Sequence, residues 1–429
     1  MTEPGRTILF RDARLVEPGG REGPGGLLVR DGLIADIAWG AVPDAPEGAE
    51  VVDCAGHVLA PGIIDLGVKV GEPGERHKES FRTAGLAAAA GGVTTMITRP
   101  DTLPPIDTPE ALEFAIRRAR EVSPVRVQPM AALTKGREGR EMTEIGLLRD
   151  AGAVAFTDAD RVVRDTRVLA RALVYAGAMG ALVIHHAQEP MLSAGACATS
   201  GAFATRLGLP AVPPMAERMG VARDLALAEM TGARLHLDRI TTAGALPLLA
   251  RARAAGLAVT AGADIHHLTL NELDIGDYRT FFKFTPPLRA ESDRAAVVGA
   301  VADGLIDVIG SFHTPQDEES KRLPYEDAAP GAVGLQTLLP AALRLVHAGA
   351  LTLPRLWACL SANPARLLGL PQGRLARGAP ADLVLFDPDL PFVLNRHDLM
   401  SKSKNTPFDL ARMQGRVLGS WVAGRRVWG

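Results

Sequence analysis

Short apolar runs separated by turn residues occupy both ends of the chain. Near the N-terminus the runs are Ile8 to Phe10, Leu27 to Val29 and Leu33 to Ile37, with Asp31-Gly32 immediately before the third. The C-terminal stretch from 381 to 428 has the same pattern, with Gly424 placed to turn a closing hairpin. Short apolar runs bounded by Asp and Gly are typical of strands joined by tight turns. Both chain ends are therefore predicted to be β-rich.

Apolar strands alternate with helical stretches rich in Ala, Leu and Arg through the centre of the chain. The predicted strands lie near Leu59 to Leu66, Thr94 to Thr98, Val125 to Ala131, Val154 to Thr157, Leu182 to His186, Arg234 to Asp238, Ala258 to Ala263 and Asp307 to Ser311. The predicted helices between them include Ala111 to Arg120, Arg167 to Ala176, Val221 to Thr231, Ala243 to Ala255 and Ala295 to Ala302. This alternation indicates βαβ units and a parallel sheet.

An α/β protein in two parts accounts for these patterns. Residues 56–370 are predicted to form a (β/α)₈ TIM barrel, because eight strands over roughly 300 residues fit a closed barrel better than an open sheet. Residues 1–55 and 371–429 are predicted to share one small β-sandwich domain. Gly and Pro interrupt the helical pattern between Pro190 and Pro214, which predicts an irregular segment there. In a barrel, the chemistry belongs at the carboxyl ends of the strands.

Composition and charge narrow the function classes. Hydrophobic residues make up 47% of the chain and the formal net charge is −2, which is typical of a globular protein and makes nucleic acid an unexpected partner. We expect no export signal and no membrane span, because no apolar run approaches the length of about 18 residues that a span needs. The cysteines Cys54, Cys197 and Cys359 lie far apart and form no CxxC pair, which fits a reducing cytoplasm.

The ends of the predicted strands carry motifs that resemble those of dihydroorotases, in the cyclic amidohydrolase superfamily. The first strand reads Ala60-Pro61-Gly62-Ile63-Ile64-Asp65 and is followed by Glu72-Pro73-Gly74, as in that family. Further matching segments follow in family order at residues 99–102, 152–160, 183–189, 236–242, 283–289, 306–316 and 403–408. The resemblance covers essentially the full length, and it implies the barrel fold together with a cyclic amide hydrolase as the family activity.

The resemblance also implies six metal-ligand positions, and most of them are altered here. His186 is the ligand that is retained. The other five positions hold Gly67, Lys69, Ala159, Arg239 and Phe312. Phe312 replaces the aspartate that the family uses as both ligand and general base. Asp158 could supply a second ligand only if the register of the fourth strand shifts by one residue.

Substrate recognition is altered at the positions that the family uses for its carboxylate-bearing ring. Gly71, Asp101, Thr285 and Gln316 replace an arginine, two asparagines and a histidine. An acidic Asp101 would repel an anionic substrate. Lys69 and Arg239 would repel a divalent cation, and we expect them to pair with Asp158 or Asp160 at the barrel mouth.

A rebuilt mononuclear metal site is an alternative reading of the histidines. Because adjacent residues of a strand point to opposite faces, each histidine pair offers one inward ring. His313 is expected to pack rather than to bind a metal. The side chains that could contribute to a rebuilt site are His185, His186, His266, His267, His236 and Asp158.

Two functions follow from these replacements. In the first, the chain is a non-catalytic dihydroorotase-like protein of pyrimidine biosynthesis that needs no cofactor and supports aspartate transcarbamoylase within an oligomeric assembly, as inactive members of the family do. In the second, it is an active dihydroorotase or related cyclic amidohydrolase with an unconventional zinc site. Five altered ligand positions favour the first, since a catalytic zinc usually takes three protein ligands.

Overall fold

The computed structural model describes residues 6–429. The strands of this part of the chain are β1 (Thr7–Val16), β2 (Glu22–Arg30), β3 (Leu33–Trp39), β4 (Glu50–Asp53), β5 (Val58–Pro61), β6 (Ile63–Val68), β7 (Val93–Thr98), β8 (Arg126–Pro129), β9 (Val183–His185), β10 (Ala198–Thr199), β11 (Ala211–Val212), β12 (Leu235–Leu237), β13 (Val259–Asp264), β14 (Val308–Gly310), β15 (Leu383–Val393), β16 (Arg412–Val422) and β17 (Arg425–Trp428).

Helices separate the central strands, as the alternating pattern predicts. They are α1 (Phe81–Ala90), α2 (Pro109–Val122), α3 (Ile145–Asp150), α4 (Thr166–Ala178), α5 (Pro190–Ser193), α6 (Ala202–Leu207), α7 (Met215–Thr231), α8 (Leu246–Ala254), α9 (Ile265–Thr269), α10 (Glu291–Ala302), α11 (Glu318–Arg322), α12 (Leu338–His347), α13 (Leu353–Trp357) and α14 (Asn363–Leu368). Within residues 6–429, no helix has the length and apolar character needed to cross a bilayer.

Strands from both chain ends share one sheet. Its order is β17-β16-β15-β5-β1-β2-β3, with β4 beside β1. The turn between β2 and β3 has positive φ at both Asp31 (53°) and Gly32 (78°), which a two-residue hairpin of type I′ requires. Phe10 and Trp421, from opposite ends of the sequence, meet edge-to-face in its core at 5.0 Å. The predicted β domain built from both termini is therefore present.

The central strands form a parallel ring. One part joins β6, β7 and β8, and another joins β9, β12, β13 and β14. The fourth strand is reduced to Phe156, which bridges Ala131 on one side and Val183 on the other. The ring closes where the backbone N–H of Ser311, just after β14, donates to the Asp65 carboxylate of β6 at 2.8 Å. The (β/α)₈ barrel prediction is confirmed.

The first predicted strand, Leu59 to Leu66, is two strands rather than one. The break falls at Gly62, whose N–H donates to the carbonyl of Asp382 at 2.8 Å. A side chain at Gly62 would overlap Thr94 of β7, so only glycine lets the chain pass here from one sheet to the other. Residues 58–61 pair with strands of the β domain, although they fall inside the range predicted for the barrel. The proposed boundary at residue 56 stays a prediction.

The segment between Pro190 and Pro214 is broken into short pieces, in keeping with its glycine and proline content. It contains α5, the two-residue strands β10 and β11, and α6. Helix α7 follows and begins at Met215, earlier than the predicted start at Val221. A side chain at Gly220 of α7 would overlap the backbone of Gln188, so glycine allows this helix to lie directly against the end of β9. This contact places α7 against the segment that follows β9.

Candidate functional site

The altered family positions meet at the carboxyl ends of the barrel strands. Gly67 and Lys69 lie at the end of β6, and His186 follows β9 directly. Arg239 and Phe312 each lie two residues beyond the strands β12 and β14. Gly67, His186, Arg239 and Phe312 are all buried. These five residues therefore lie at the barrel mouth, and their assignment to the family's ligand positions stays a prediction.

An aromatic ring and a guanidinium group fill the centre of these positions. Gly67 has φ +92°, and a Cβ added to it would lie 3.0 Å from the ring of Phe312. The guanidinium carbon of Arg239 lies 4.4 Å from the centroid of the Phe312 ring, in cation–π geometry. Arg239 is held by Asp238, with Nη2 at 2.8 Å from Oδ2. The site is therefore packed with a hydrophobic ring and a paired cation.

His186, the retained ligand position, is buried and uncharged. Burial, followed by the positive charge of Arg239, holds its pKa well below the ordinary value. The nearest carboxylate oxygen, Oδ2 of Asp238, lies 3.9 Å from Nδ1, which is too far for a hydrogen bond. In the described part of the chain Nδ1 has no hydrogen-bond partner. His186 thus keeps a free polar atom at the floor of the mouth.

Lys69 pairs with Glu75 and Asp101, not with the carboxylates that the sequence suggested. Its Nζ lies 3.2 Å from Oε2 of Glu75 and 3.5 Å from Oδ2 of Asp101. Arg99 also donates two hydrogen bonds to Asp101, from Nε at 3.1 Å and from Nη2 at 2.6 Å. Burial alone would raise the pKa of Asp101, but Arg99 and Lys69 together lower it well below its usual range. Asp101 is therefore ionised and neutralised by two cations.

Asp158 and Asp160 have other partners, so the expected pairing with Lys69 or Arg239 is wrong. Asp158 turns towards the loop after β8, where it accepts hydrogen bonds from the N–H groups of Leu133 and Thr134 at 3.0 Å. Asp160 binds Arg137 at 2.6 Å. Lys69 lies close to Glu75 and Asp101, and Arg239 lies close to Asp238, its neighbour in the chain. These carboxylates are the ones that pair with the two cations. Asp158 serving as a ligand in a shifted register stays a prediction.

The family's substrate positions are occupied by local contacts. A side chain at Gly71 would overlap the carbonyl of Glu75, so the loop from 71 to 75 takes the space that an arginine would need. The side-chain amide of Gln316 donates to the carbonyl of Pro330 at 3.0 Å. Thr285 is exposed and lines the cleft above the barrel. Of these altered positions, Thr285 is the one that faces an open space.

The remaining histidines are tied to their own surroundings. Three of them form a hydrogen bond through Nδ1 to a side chain: His185 to Asp224 at 2.6 Å, His236 to Thr260 at 2.8 Å, and His266 to Asp264 at 2.8 Å. His267 forms a hydrogen bond through Nε2 to the carbonyl of Pro286 at 2.9 Å. His313 accepts a hydrogen bond at Nδ1 from the N–H of Gly334 at 3.1 Å. Burial lowers the pKa of His236 to about 3. His313 packs at the end of β14, as expected.

The donor groups at the mouth do not fit a zinc ion. Across residues 6–429, no three His, Cys, Asp or Glu side chains converge as metal ligands. A catalytic zinc takes three protein ligands, and the Phe312 ring and Arg239 guanidinium lie among the family's ligand positions. The rebuilt metal site considered for the histidines has no geometric support.

Sequence reasoning missed several residues that organise this mouth. Arg99 neutralises Asp101, and Asp238 forms an ion pair with Arg239. Arg137 forms an ion pair with Asp160. Gln188 lies buried beside His186. Of these residues, only Arg99 could have been identified from the sequence. Residues two apart on an extended chain point to the same side, so a contact between Arg99 and Asp101 could have been predicted.

Similarity to known proteins agrees with the fold and the motifs. A family model described as dihydro-orotase-like matches residues 56–244. The dihydroorotase of Desulforapulum autotrophicum is 38% identical over 421 residues, covering 98% of this chain and 99% of its own. That of Syntrophobacter fumaroxidans is 39% identical over 422 residues, covering 97% and 96%. The structure of the L-hydantoinase from Arthrobacter aurescens superposes with a TM-score of 0.89 at 25% identity, covering 100% and 96%. The chain belongs to the dihydroorotase family.

Proposed function

We propose that this chain is a non-catalytic dihydroorotase-family protein of pyrimidine biosynthesis that acts as a structural partner of aspartate transcarbamoylase. One observation carries the first half of the proposal. The Phe312 ring lies against Gly67 and under the Arg239 guanidinium, so three of the family's ligand positions are packed together without a metal-binding atom.

The chemistry of cyclic amide hydrolysis explains why this packing matters. The reaction needs a hydroxide generated on a cation, a Lewis acid at the carbonyl, and a group that carries the proton. Phe312 offers no proton-carrying atom. Losing a general base alone costs on the order of a hundred- to ten-thousand-fold in rate, and here the cation's ligands are altered as well.

The partner is inferred from the family resemblance, not from a particular surface. The chain is 38–39% identical to curated dihydroorotases over nearly the full length of both chains, and it has the barrel and the β domain. A preserved scaffold with an altered site suits a role in assembly. A stable complex needs an interface of roughly 1,200 to 2,000 Å². We expect the functional assembly to be oligomeric.

An active dihydroorotase or related cyclic amidohydrolase is the second candidate. It is favoured by the relatives themselves, since proteins 38% identical over 98% of the chain are named dihydroorotases. This candidate requires zinc held by a set of ligands that includes His186 and residues outside the family positions.

Metal analysis and an activity assay on the same preparation separate the two candidates. The purified full-length chain is saturated with zinc, desalted and assayed for interconversion of dihydroorotate and carbamoyl aspartate, with one of the curated dihydroorotases as positive control. We expect substoichiometric zinc and no turnover above the blank. About one zinc per chain together with turnover would establish the second candidate instead.

Size-exclusion chromatography tests the partnership. The chain is mixed at micromolar concentration with aspartate transcarbamoylase from the same organism, and each protein is also run alone. We expect an additional peak of higher mass that contains both chains. Independent elution, with transcarbamoylase fully active alone, contradicts the assembly role.

A further inference from the structure

Helix α7 carries an apolar stripe on its outer face. The helix spans Met215–Thr231 and lies between α4 and α8 on the outside of the barrel. Its exposed apolar residues follow one another at intervals of three or four, which keeps them on one side of a helix with 3.6 residues per turn. They are Met215, Met219, Ala222, Ala226 and Met230, and the three methionines are 47%, 47% and 65% exposed.

Other outer helices of the barrel turn charged residues towards solvent, as surface helices normally do. On α2 the exposed residues are Glu110, Glu113, Phe114, Arg117, Arg120 and Glu121. Helix α7 differs because its inner face also packs apolar side chains, Val221 and Leu227 among them. A helix that is apolar on both faces is normally covered on both. The outer stripe of α7 is therefore a surface for a partner.

Two opposite charges, Arg218 and Glu229, flank the stripe. Both are exposed, and they lie on the same side of the stripe because eleven residues make about three helical turns. They are separated by about 16 Å along the helix axis, too far to pair with each other. Across residues 6–429, neither forms an ion pair or a side-chain hydrogen bond. One flank of α7 thus presents an unpaired cation near its start and an unpaired anion near its end.

We propose that α7 is a dimerisation helix, whose stripe packs antiparallel against the stripe of a second copy about a two-fold axis. In such a contact residue i of one copy meets residue j of the other, and j meets i. With the axis beside Ala222, Met219 of one copy faces Ala226 of the other, so that a large side chain meets a small one. The axis also brings Arg218 of each copy to Glu229 of the other on the same flank. This charge complementarity favours a second copy over an unrelated partner.

The face around α7 is large enough for a stable dimer. Helix α7 is about 25 Å long, and neighbouring helices lie about 8–10 Å apart, so the outer faces of α4, α7 and α8 together cover roughly 600 Å². Two such faces bury about 1,200 Å², the lower end of the range for specific interfaces. Val174 of α4, which is 57% exposed, adds to the apolar surface. This dimer goes beyond the proposed function, since it requires neither catalysis nor the transcarbamoylase.

Sedimentation velocity of the full-length chain alone, from submicromolar to tens of micromolar concentration, tests the interface. We expect a species of twice the 45.2 kDa mass of the chain. Met219→Glu should weaken the dimer at least tenfold, because each copy then buries a carboxylate against an alanine. The matched control is Leu410→Glu, at a 74% exposed position between β15 and β16, and it should change the dimer affinity less than twofold. Circular dichroism verifies that each variant is folded.

Charge reversal tests the antiparallel register. Arg218→Glu and Glu229→Arg should each weaken the dimer about threefold or more, because like charges then face each other twice. An equimolar mixture of the two variants should recover the wild-type affinity, since both contacts of the mixed dimer join opposite charges.

Three results overturn the proposal. The first is a monomer throughout the concentration range, even if the chain joins a larger complex once aspartate transcarbamoylase is added. The second is a dimer that Met219→Glu leaves intact or that Leu410→Glu weakens equally. The third is a mixture of the charge variants that recovers nothing. Because the chain is measured alone, the outcome is separate from that of the assembly with transcarbamoylase.

Discussion

The ring of Phe312 lies 3.0 Å from the point where a Cβ on Gly67 would begin. Both residues stand at family ligand positions, and both have positive φ, +92° for Gly67 and +44° for Phe312. A glycine at the end of β6 thus makes room for the aromatic ring at the end of β14. The two replacements depend on each other, so the site is repacked as a unit.

A double-mutant cycle measures this dependence. Gly67→Ala should lower the free energy of unfolding by roughly 1–3 kcal/mol, from overpacking against the ring and from the positive φ. In the Phe312→Ala background the same substitution should cost less, because only the backbone strain remains. Chemical denaturation of the four proteins gives the coupling. Additive effects within about 0.5 kcal/mol would show that the two residues do not interact.

Arg99 and Lys69 are unequal partners of Asp101. Arg99→Met should destabilise the fold by about 3–5 kcal/mol, since it leaves a buried carboxylate short of its two-bond partner. Lys69→Met should cost less stability, because Arg99 remains bound to Asp101.

The lowered pKa of Asp101 contributes stability above the unfolded value of about 4, and this contribution is lost as the pH falls. The difference between the wild type and Arg99→Met should therefore narrow in acid. Arg120→Met, at an exposed position on α2, is the control and should stay within about 0.5 kcal/mol of the wild type.

Asp65 should make the fold less stable as the pH rises from about 4 towards 7. Burial raises its pKa to about 7, despite the hydrogen bonds from the N–H and hydroxyl of Ser311. A carboxyl group with a raised pKa holds its proton in the folded state after the unfolded chain has lost it, so stability falls across that interval and levels off above it. Asp65→Asn keeps the shape and removes the titration. Denaturation curves at pH 5, 6 and 7.5 should show a smaller decline in this variant, and parallel declines would exclude Asp65 as the cause.

Restoring the family ligands should restore zinc binding. The variant carries Gly67→His, Lys69→His, Ala159→Asp, Arg239→His and Phe312→Asp. Competition titration with a zinc indicator should give an affinity at least tenfold above that of the wild type, with circular dichroism to verify folding. A control with only Ala159→Asp and Phe312→Asp should bind less tightly, because imidazole ligands are missing. Unchanged zinc binding in the folded five-residue variant would show that these positions are assigned wrongly.

The sequence predicts the barrel because its signal is repeated along the chain. Alternating strands and helices, the Asp31-Gly32 turn and the motif order define the fold without any knowledge of contacts. The partners of individual side chains are different. Whether Lys69 meets Asp101 or Asp158 depends on which carboxylate its flexible side chain reaches first, and this is set by loop conformation. The unpaired amide of Gln188 is equally invisible, since an absent partner leaves no pattern in the sequence.

The pairing of Leu59 with Leu385 has a consequence for the order of folding. The barrel is assembled from neighbouring βαβ units, whereas β5 must wait for β15, which is synthesised more than three hundred residues later. Closing so long a loop carries a larger entropic cost than joining adjacent units. We expect the barrel to form first on the ribosome. At that stage the N-terminal strands of the β domain would be in place, but β5 would have no partner on the side where β15 later pairs. A chain shortened before residue 383 would keep that edge open permanently and expose it to association with other chains.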